Sequence, residues 1–337
     1  MTHDFTFKLI NWFIIHKRSL PWRETSDPYA IWLSEIILQQ TRIQQGMAYW
    51  HRFMNRWPTV QMLAEATEDE VLREWQGLGY YSRARNLHVA ANQIVQLGHF
   101  PDSLDEIKKL KGVGDYTAAA IASFAFNLKY AAVDGNVFRV LARHFGIDTP
   151  INTTEGKKLF SELAQQLIPD KNPADFNQAM MDFGATQCTP QSPDCSICPM
   201  FDSCLALRTN RVASLPVKIN KIKIREREFS YFYVRLKQGN ELFTAIRKRP
   251  VGDIWQGLWE PFMVESMNSM PLFEGNITLL RKRVKHVLTH QTIFADFYLV
   301  ETETKPSLPD EFIWIPEVEV NRYAIPRLVE ILLACLP

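Results

Sequence analysis

Four of the five cysteines in this 337-residue chain lie close enough in sequence to bind a metal together. They are Cys188, Cys195, Cys198 and Cys204, whereas Cys335 lies far away. Clustered thiolates of this kind are typical of a metal centre. Zinc sites usually combine two separated ligand pairs, and only Cys195 and Cys198 form a close pair here. The compact run favours a single [4Fe–4S] cluster, with zinc as the alternative.

A glycine hairpin lies upstream, at residues 110–118. Gly112 and Gly114 precede an alanine-rich helix, whose first backbone N–H groups could bind a DNA phosphate without reading sequence. Alone, such a pair of glycines is more often an ordinary tight turn. Some twenty residues later, Asp134 opens a further predicted helix, where an aspartate suits the N-cap position.

Glu35 is an acidic residue inside an apolar helical segment, next to Trp32 and Ile36. A carboxylic acid in apolar surroundings has a raised pKa and can keep a proton to donate. By the spacing alone, an exposed helix glutamate is the simpler interpretation.

Apolar residues recur at intervals of three and four up to about Leu207, which predicts a helical region. The sequence Asp27-Pro28 is a good helix start, with a capping oxygen followed by proline. We expect residues 31–45 to form one helix.

Strand patterns begin after Pro216. Residues 229–236 and 242–247 flank a turn at residues 238–240 and predict a β-hairpin. Residues 292–300 predict another strand, and residues 326–336 a closing helix. An all-α domain is therefore followed by a smaller α+β domain.

The composition, with 46% hydrophobic and 22% charged residues, is that of a globular protein. We find no signal peptide and no apolar run of the ~20 residues that span a bilayer. With the cysteine cluster, these features predict a reducing, intracellular location. The net charge of +1 means that a nucleic-acid partner would need local basic patches. One candidate patch is the stretch 208–227, which could equally be a solvated linker.

The hairpin, the aspartate and the cysteine loop, in this order, resemble the helix–hairpin–helix DNA glycosylase superfamily. More narrowly, the chain resembles MutY-type adenine DNA glycosylases over nearly its whole length. The matching strings are LPWR at 20–23, WLSEIILQQT at 32–41, GLGYY at 77–81 and FNQAMMDFG at 176–184.

The resemblance implies a domain division. Residues 1–207 would form the catalytic helical domain, with the helix–hairpin–helix at about 108–128 and the cluster loop at 188–204. Residues 208–227 would be a basic linker, and residues 228–337 a Nudix-like domain that recognises 8-oxoguanine. The acidic run that binds Mg²⁺ in active Nudix hydrolases is missing after residues 252–260. This second domain is therefore expected to lack hydrolase activity.

The resemblance also implies catalytic roles. Glu35 would protonate adenine at N7, and Asp134 would stabilise the sugar cation that forms when the base leaves. Asn136 and Tyr116 would support Asp134 and the sugar. Relatives that cleave the DNA strand carry a lysine where this chain has Tyr116, so a monofunctional enzyme that leaves an abasic site is implied.

Recognition residues follow from the same resemblance. The adenine pocket would be formed by Arg18, Leu20, Trp22 and Gln178. Gln40 and Tyr80 would enter the duplex, and Gly112 and Gly114 would bind the DNA backbone. The family's Phe-Ser-His loop is Leu288-Thr289-His290 here, so Thr289 and His290 are the expected 8-oxoguanine contacts.

The expected protein is thus a monomeric base-excision repair enzyme with one structural [4Fe–4S] cluster. It would act in the cytoplasm, or at the nucleoid of a bacterium, on double-stranded DNA with adenine opposite 8-oxoguanine or guanine. Two alternatives stay open. One is a bifunctional pyrimidine-damage glycosylase and lyase of the same fold, and the other is a non-catalytic DNA-binding protein with zinc.

Overall fold

The computed structural model describes residues 2–219, 224–267, 270–271 and 273–337. The chain forms two compact units, Met1–Ala64 with Val89–Asn220 and Glu65–His88 with Lys221–Pro337. One of the three divisions between them along the chain falls inside the predicted linker 208–227, of which residues 220–223 lie outside the described part. The last three linker residues already belong to a strand, and residues 65–88, from within the range assigned to the catalytic domain, belong to the second unit. The predicted domain boundaries therefore stay a prediction.

The helices follow the apolar periodicity of the sequence. In chain order they are α1 (Thr2–His16), α2 (Pro28–Leu38), α3 (Ile43–Arg56), α4 (Val60–Glu65), α5 (Glu68–Trp75), α6 (Ser82–Leu97), α7 (Leu104–Ile107), α8 (Asp115–Phe126), α9 (Gly135–Phe145), α10 (Thr154–Leu167), α11 (Pro173–Asp182), α12 (Leu205–Arg208) and α13 (Arg327–Leu333). Side-chain caps fix several of the starts. Asp27 Oδ1 accepts a hydrogen bond from Tyr29 N at 3.0 Å, which confirms the predicted start of α2. No helix among the described residues is long and apolar enough to cross a membrane.

The prediction of one helix over residues 31–45 is wrong. Helix α2 ends at Leu38, α3 begins at Ile43, and Gln40 between them has a left-handed backbone with φ of 58°. The turn lets α3 fold back onto α2, where a Cβ on Gly46 would lie 2.6 Å from Leu38 Cδ2. Trp50 of α3 is then buried and donates a hydrogen bond to the carbonyl oxygen of Ala30 at 2.9 Å. A straight helix would leave this apolar face in water.

One core of the first unit lies among α1, α9, α10 and α11. Its fully buried side chains include Leu9, Leu141, Phe160, Ala179 and Met180. The half-buried cysteines Cys188, Cys198 and Cys204 pack against the same core. The cysteine loop is therefore attached to the part of the fold that α9 organises.

The second unit contains a mixed sheet. Its strands are β1 (Arg225–Gln238), β2 (Glu241–Lys248), β3 (Trp259–Glu260), β4 (Phe262–Glu265), β5 (Asn276–Val287), β6 (Gln291–Thr302) and β7 (Ile313–Pro316). The order is β3-β2-β1-β6-β5, with β4 paired to β1 and β7 to β2. The hairpin of β1 and β2 and the strand at 292–300 are confirmed as predicted.

Strand β1 runs through the middle of this sheet and pairs in parallel with β6. Both of its faces are buried, which explains its nearly continuous apolar run. On one face, Phe229 and Tyr231 pack with Leu328 and Leu332 of α13, which confirms the predicted closing helix in a shorter form. On the other face, Phe232 stacks on Tyr298 with ring centroids 4.8 Å apart.

Candidate active site

One cavity of about 790 Å³ in the first unit is lined by all four predicted catalytic residues and all four predicted adenine contacts, together with Gln40. It is lined, among others, by Arg18, Leu20, Trp22, Glu35, Gln40, Tyr116, Asp134, Asn136 and Gln178. These residues come from α2, α8, α9 and α11 and from the loops before and after α2. The fold therefore brings together side chains that are up to 160 positions apart in sequence (Arg18 to Gln178).

Glu35 lies on α2 with only 8% of its surface exposed. Its Oε2 accepts a hydrogen bond from the Tyr116 hydroxyl at 3.0 Å. Burial raises the pKa of Glu35 to about 7, and the charge of Asp134 adds to the rise, whereas the Tyr116 hydrogen bond and Arg23 oppose it. Glu35 can therefore hold a proton near neutral pH and release it.

Asp134 caps α9. Its Oδ1 accepts hydrogen bonds from the backbone N–H groups of Asn136 and Val137, at 2.9 and 2.8 Å. Its Oδ2 accepts one from Asn136 Nδ2 at 2.8 Å. Burial raises the pKa of Asp134, while these hydrogen bonds and the charge of Arg139 favour the carboxylate. The side chain is thus held in one orientation at the cavity wall.

Two arginines at the cavity share a buried carboxylate that the sequence analysis did not identify. Asp182, which is fully buried, accepts hydrogen bonds from Arg18 Nε and from Arg23 Nη1, each at 2.8 Å. Although burial opposes ionisation, these hydrogen bonds hold the pKa of Asp182 below its ordinary value. Asp182 therefore fixes the guanidinium groups against the cavity. Its place in the string at 176–184 was the only signal.

Arg139 connects Asn136 to the segment that leads into the cysteine loop. Its Nη2 donates to Asn136 Oδ1 at 2.8 Å and to the Gly184 carbonyl at 2.6 Å. Its Nε donates to the carbonyl oxygen of Cys188 at 2.8 Å. The first cysteine and the cap of α9 are therefore bound to the same guanidinium.

The four cysteines line one small pocket together with Arg143. The guanidinium of the buried Arg143 lies 3.5 Å from Cys188 Sγ and donates to the carbonyl oxygen of Thr189 at 2.7 Å. Burial raises the pKa of Cys198 to about 11. The Cys198 thiol would therefore keep its proton in this setting unless a cationic centre bound it as a thiolate. The donor set and its placement fit a metal cluster.

Tyr80 and the predicted 8-oxoguanine contacts lie in the second unit, around a separate cavity of about 620 Å³. Tyr80, Thr289 and His290 line it, as do His286 and Trp255. The Tyr80 hydroxyl and Thr289 Oγ1 share a hydrogen bond of 2.5 Å. Tyr80 has a left-handed backbone with φ of 47°, which turns this exposed ring out of the loop before α6.

The glycine hairpin lines neither of these cavities. Gly112 has a φ of 80°, a conformation that favours glycine, and Gly114 is the N-cap of α8. A Cβ on Gly114 would meet no atom within 4 Å, so the backbone there is open to a ligand.

Three protein families match successive parts of the chain. Residues 33–168 match the HhH-GPD superfamily base excision DNA repair proteins, and residues 188–204 match the iron–sulfur binding domain of endonuclease III. Residues 230–335 match the NUDIX domain. These matches confirm the predicted fold class, with a helical glycosylase domain, an iron–sulfur loop and a Nudix-like domain.

Curated relatives match this chain over much of its length. An adenine DNA glycosylase of Buchnera aphidicola is 35% identical over 85% of this chain and 83% of its own length. The chain belongs to the adenine DNA glycosylase family. The adenine DNA glycosylases of Arabidopsis thaliana and Homo sapiens are 38% and 45% identical, but this chain spans only 47% and 39% of their lengths.

Solved structures of other DNA repair proteins resemble part of this chain in fold. A thermostable thymine-DNA glycosylase is 31% identical, with a TM-score of 0.58 over 62% of this chain and 97% of its own. Endonuclease III in a non-covalent DNA complex is 21% identical, with a TM-score of 0.54 over 62% of this chain and 98% of its own. The latter likeness concerns the fold alone.

Family membership also decides the metal. The match over Cys188 to Cys204 and the pocket that the four thiols line confirm the prediction of one [4Fe–4S] cluster over zinc. The cluster would be held by Cys188, Cys195, Cys198 and Cys204. In this family member the cluster loop is joined to α9 through Arg139 and Arg143, which the cysteine spacing alone could not reveal.

Proposed function

We propose that this protein removes adenine from double-stranded DNA in which it lies opposite 8-oxoguanine or guanine. The reaction hydrolyses the N-glycosidic bond and leaves an abasic site. One observation carries this proposal: the carboxyl groups of the buried Glu35 and the half-buried Asp134, which have different hydrogen-bond partners, line the same cavity. A proton donor paired with a carboxylate is the general arrangement for cleaving glycosidic bonds.

The first step is proton transfer to the base. The adenine is rotated out of the duplex into the cavity, because the reacting bond is out of reach in the stack. Glu35, whose pKa of about 7 keeps much of it protonated at neutral pH, donates its proton to adenine N7. The glycosidic electron pair then leaves with the base, which departs as neutral adenine. The carboxylate that remains on Glu35 accepts the Tyr116 hydrogen bond.

The second step is capture of the sugar cation. Asp134, held by three hydrogen bonds at the start of α9, presents a carboxylate to the positive charge that develops at the anomeric carbon. Water adds to that carbon and gives its proton to the Glu35 carboxylate. Both groups are then back in their starting protonation states.

Tyr116 supports a monofunctional reaction. Its hydroxyl is hydrogen-bonded to Glu35, and a phenol cannot form the Schiff base that a lysine here would form with the sugar. The DNA strand should therefore stay intact until alkali is added.

Substrate recognition is assigned to four groups of residues, one for each part of the DNA that they would contact. Those in the first cavity that would contact the extruded adenine are Arg18, Leu20, Trp22 and Gln178, with Asn136 supporting Asp134. Gln40, in the turn between α2 and α3, would fill the gap in the duplex, and Gly112 and Gly114 would bind a phosphate. Tyr80, Thr289 and His290 would contact 8-oxoguanine. Thr289 keeps the hydroxyl of the family's serine.

The cluster has a structural role in this proposal. When bound, it supplies a rigid cationic centre for the four thiolates, while Arg139 and Arg143 fasten the loop to α9. We expect the protein to act as a monomer on cytoplasmic or nucleoid DNA.

The decisive experiment compares the wild-type protein with Glu35→Gln. Duplexes with adenine opposite 8-oxoguanine, adenine opposite guanine, and thymine opposite guanine are incubated with each protein and then treated with alkali. We expect release of adenine alone by the wild-type protein. Glu35→Gln should lose base release by at least about 10²-fold, yet still bind the mismatched duplex.

Glu162→Gln, at an exposed position of α10, is the matched control and should keep full activity. Full activity of Glu35→Gln would refute the assignment of the acid. Strand cleavage without alkali would instead favour the lyase alternative.

A further inference from the structure

A run of basic residues lies on β5, at the edge of the sheet in the second unit. Arg281, Lys282, Arg283 and Lys285 are all exposed, and β5 pairs with β6 on one side only in the described sheet. No step of the proposed reaction uses these side chains. These four residues form a basic strip.

Two β-bulges give the strip its shape. In a regular strand, neighbouring side chains point to opposite faces. The pairing of β5 with β6 shifts between Leu279 and Arg281 and again between Arg281 and Val284. As a result, three consecutive basic side chains at 281–283 are exposed. Bulges commonly redirect side chains in this way at functional positions.

Arg283 shows that the second bulge is held in place by other groups. Its φ of 52° lies in the left-handed region, which is unfavourable for a residue with a Cβ. Its backbone N–H donates to Asp296 Oδ1 at 2.7 Å, and its guanidinium lies 4.6 Å from the centroid of the Phe294 ring. Contacts from β6 therefore fix the backbone that exposes the strip.

The strip also has a surplus of charge. In the part of the chain that the structure describes, its acidic contacts are Glu228, 3.6 Å from Arg283, and Asp296, which accepts the Arg283 backbone N–H. Among the described residues, no carboxylate pairs with Arg281, Lys282 or Lys285. Because the whole protein has a net charge of only +1, this is a local excess of positive charge.

Protection of a sheet edge is the simpler role for such charges, since lysines on edge strands prevent pairing with other chains. That role does not need three consecutive outward residues or a strained arginine held by a dedicated aspartate. It also does not explain why the strip lies on the strand that continues into the turn at residues 288–290.

Strand β5 runs directly into the turn at residues 288–290, which is closed by a hydrogen bond of 2.8 Å from Leu288 N to Gln291 O. This turn carries Thr289, which shares a hydrogen bond with Tyr80. At ~3.3 Å per extended residue, the chain from Thr289 spans at most ~13 Å to Lys285 and at most ~26 Å to Arg281. These lengths correspond to about four and about eight phosphates of one DNA strand, at ~3.4 Å of helix axis each.

We propose that the basic strip binds phosphates of the DNA strand that carries 8-oxoguanine, within about eight nucleotides of the lesion. This inference rests on the proposed function, because it takes the 288–290 turn to contact the lesion. The partner is duplex DNA, recognised through its backbone charge and without regard to sequence.

The test neutralises the strip in the full-length protein with its cluster. The variant Arg281→Gln/Lys282→Gln/Lys285→Gln keeps Arg283 and thus the bulge. The control is Lys237→Gln/Lys305→Gln/Arg322→Gln, which removes three exposed charges elsewhere in the same unit. Duplex affinity is measured at several salt concentrations. Each lost phosphate contact lowers the slope of log K against log salt by about 0.9, so we expect a decrease of about 2–3 for the strip variant.

The control should keep the wild-type slope. An unchanged slope for the strip variant would overturn the proposal, whatever its activity. By contrast, a wild-type protein that releases no adenine from the 8-oxoguanine duplex would overturn the proposed function and leave the salt slopes to decide phosphate binding by themselves.

Neutral methylphosphonate linkages identify the strand. Placed near the lesion in the 8-oxoguanine strand, they should weaken binding by the wild-type protein and have little further effect on the strip variant. If only linkages in the adenine strand have this pattern, the strand assignment is wrong.

Discussion

Burial of Glu35 has two opposite consequences. It raises the pKa to about 7, which makes the group a proton donor at neutral pH, and it makes the ionised form unfavourable inside the protein. Tyr116 and Arg23 reduce that penalty without removing it. The active carboxyl is therefore expected to lower the stability of the fold, as strained or desolvated groups at functional sites often do.

The pH dependence of stability tests this directly. The pKa of Glu35 is raised from 4.5 to about 7 in the folded protein. The protonated side chain therefore contributes its full stability to the fold below pH 4.5, and this contribution is lost as the pH rises through 7. The loss is at most roughly 3 kcal/mol, at about 1.4 kcal/mol per pKa unit. Glu35→Gln mimics the protonated acid and does not titrate.

We therefore expect Glu35→Gln to resemble the wild-type protein near pH 5 and to exceed its free energy of unfolding by up to about 3 kcal/mol at pH 8.5. Urea unfolding at several pH values measures the difference. A difference in free energy of unfolding that does not change with pH would mean that the pKa of Glu35 is not raised in the folded protein.

For single residues, the sequence predicts the functional side chains better than the residues that hold them in place. Glu35 lies in a string that resembles a family, Tyr116 lies in the glycine hairpin and Asp134 after it, and the structure places all three at one cavity. Asp182 and Arg139 have no local pattern of their own. Their partners are far away in sequence, Arg18 for Asp182 and Cys188 for Arg139, so only the folded chain reveals them.

Among the elements, α9 and the short π-helical segment after α11 form one positioning unit. The segment Phe183–Gln187 passes so close to α9 that a Cβ on Gly184 would lie 2.5 Å from Asn136 Cβ. Such a distance requires one of the two backbones to move. Asn136 in turn holds Asp134 by a hydrogen bond of 2.8 Å.

We expect Gly184→Ala to displace Asn136 and with it Asp134. Adenine release should fall by about 10-fold or more, since a displacement near 1 Å at a catalytic group can cost up to about 10²-fold. Single-turnover kinetics with the 8-oxoguanine duplex measure the loss, and duplex binding should change little.

Thr186→Ala is the control for that prediction. It removes a hydrogen bond of 2.9 Å to the Asp182 carbonyl in the same segment but adds no atom near Asn136. Equal losses in the two variants would mean that the segment matters only for stability.

Element boundaries were predicted where local chemistry fixes them. The caps at Asp27 and Asp134 and the turn around Gly239 are local features, and all three occur in the structure. The break at Gln40 depends on packing of α3 against α2, and strand β5 carries charges and bulges that hide its alternation. Tertiary contacts decide these cases, so periodicity alone could not find them.

In the whole molecule, each unit has a core of its own. Leu141, Phe160 and Met180 belong to the core of the first unit, against which the cysteines pack. Tyr231, Phe297 and Leu332 belong to the core of the second. The two cores share no residue, so we expect loss of the cluster to destabilise the first unit and to leave the sheet protected.

Cys198→Ser tests this expectation, with Cys335→Ser as the control because Cys335 packs at the core of the second unit. Without one thiolate the cluster should be lost, together with its visible absorption. Hydrogen exchange should then accelerate in α9, which Arg139 and Arg143 fasten to the cysteine loop, and in α11, which packs in the same core, and stay slow in β1 and β6. Cys335→Ser should keep its colour and its protection in α9. Equal acceleration in helices and strands of Cys198→Ser would mean that the cluster stabilises both units together.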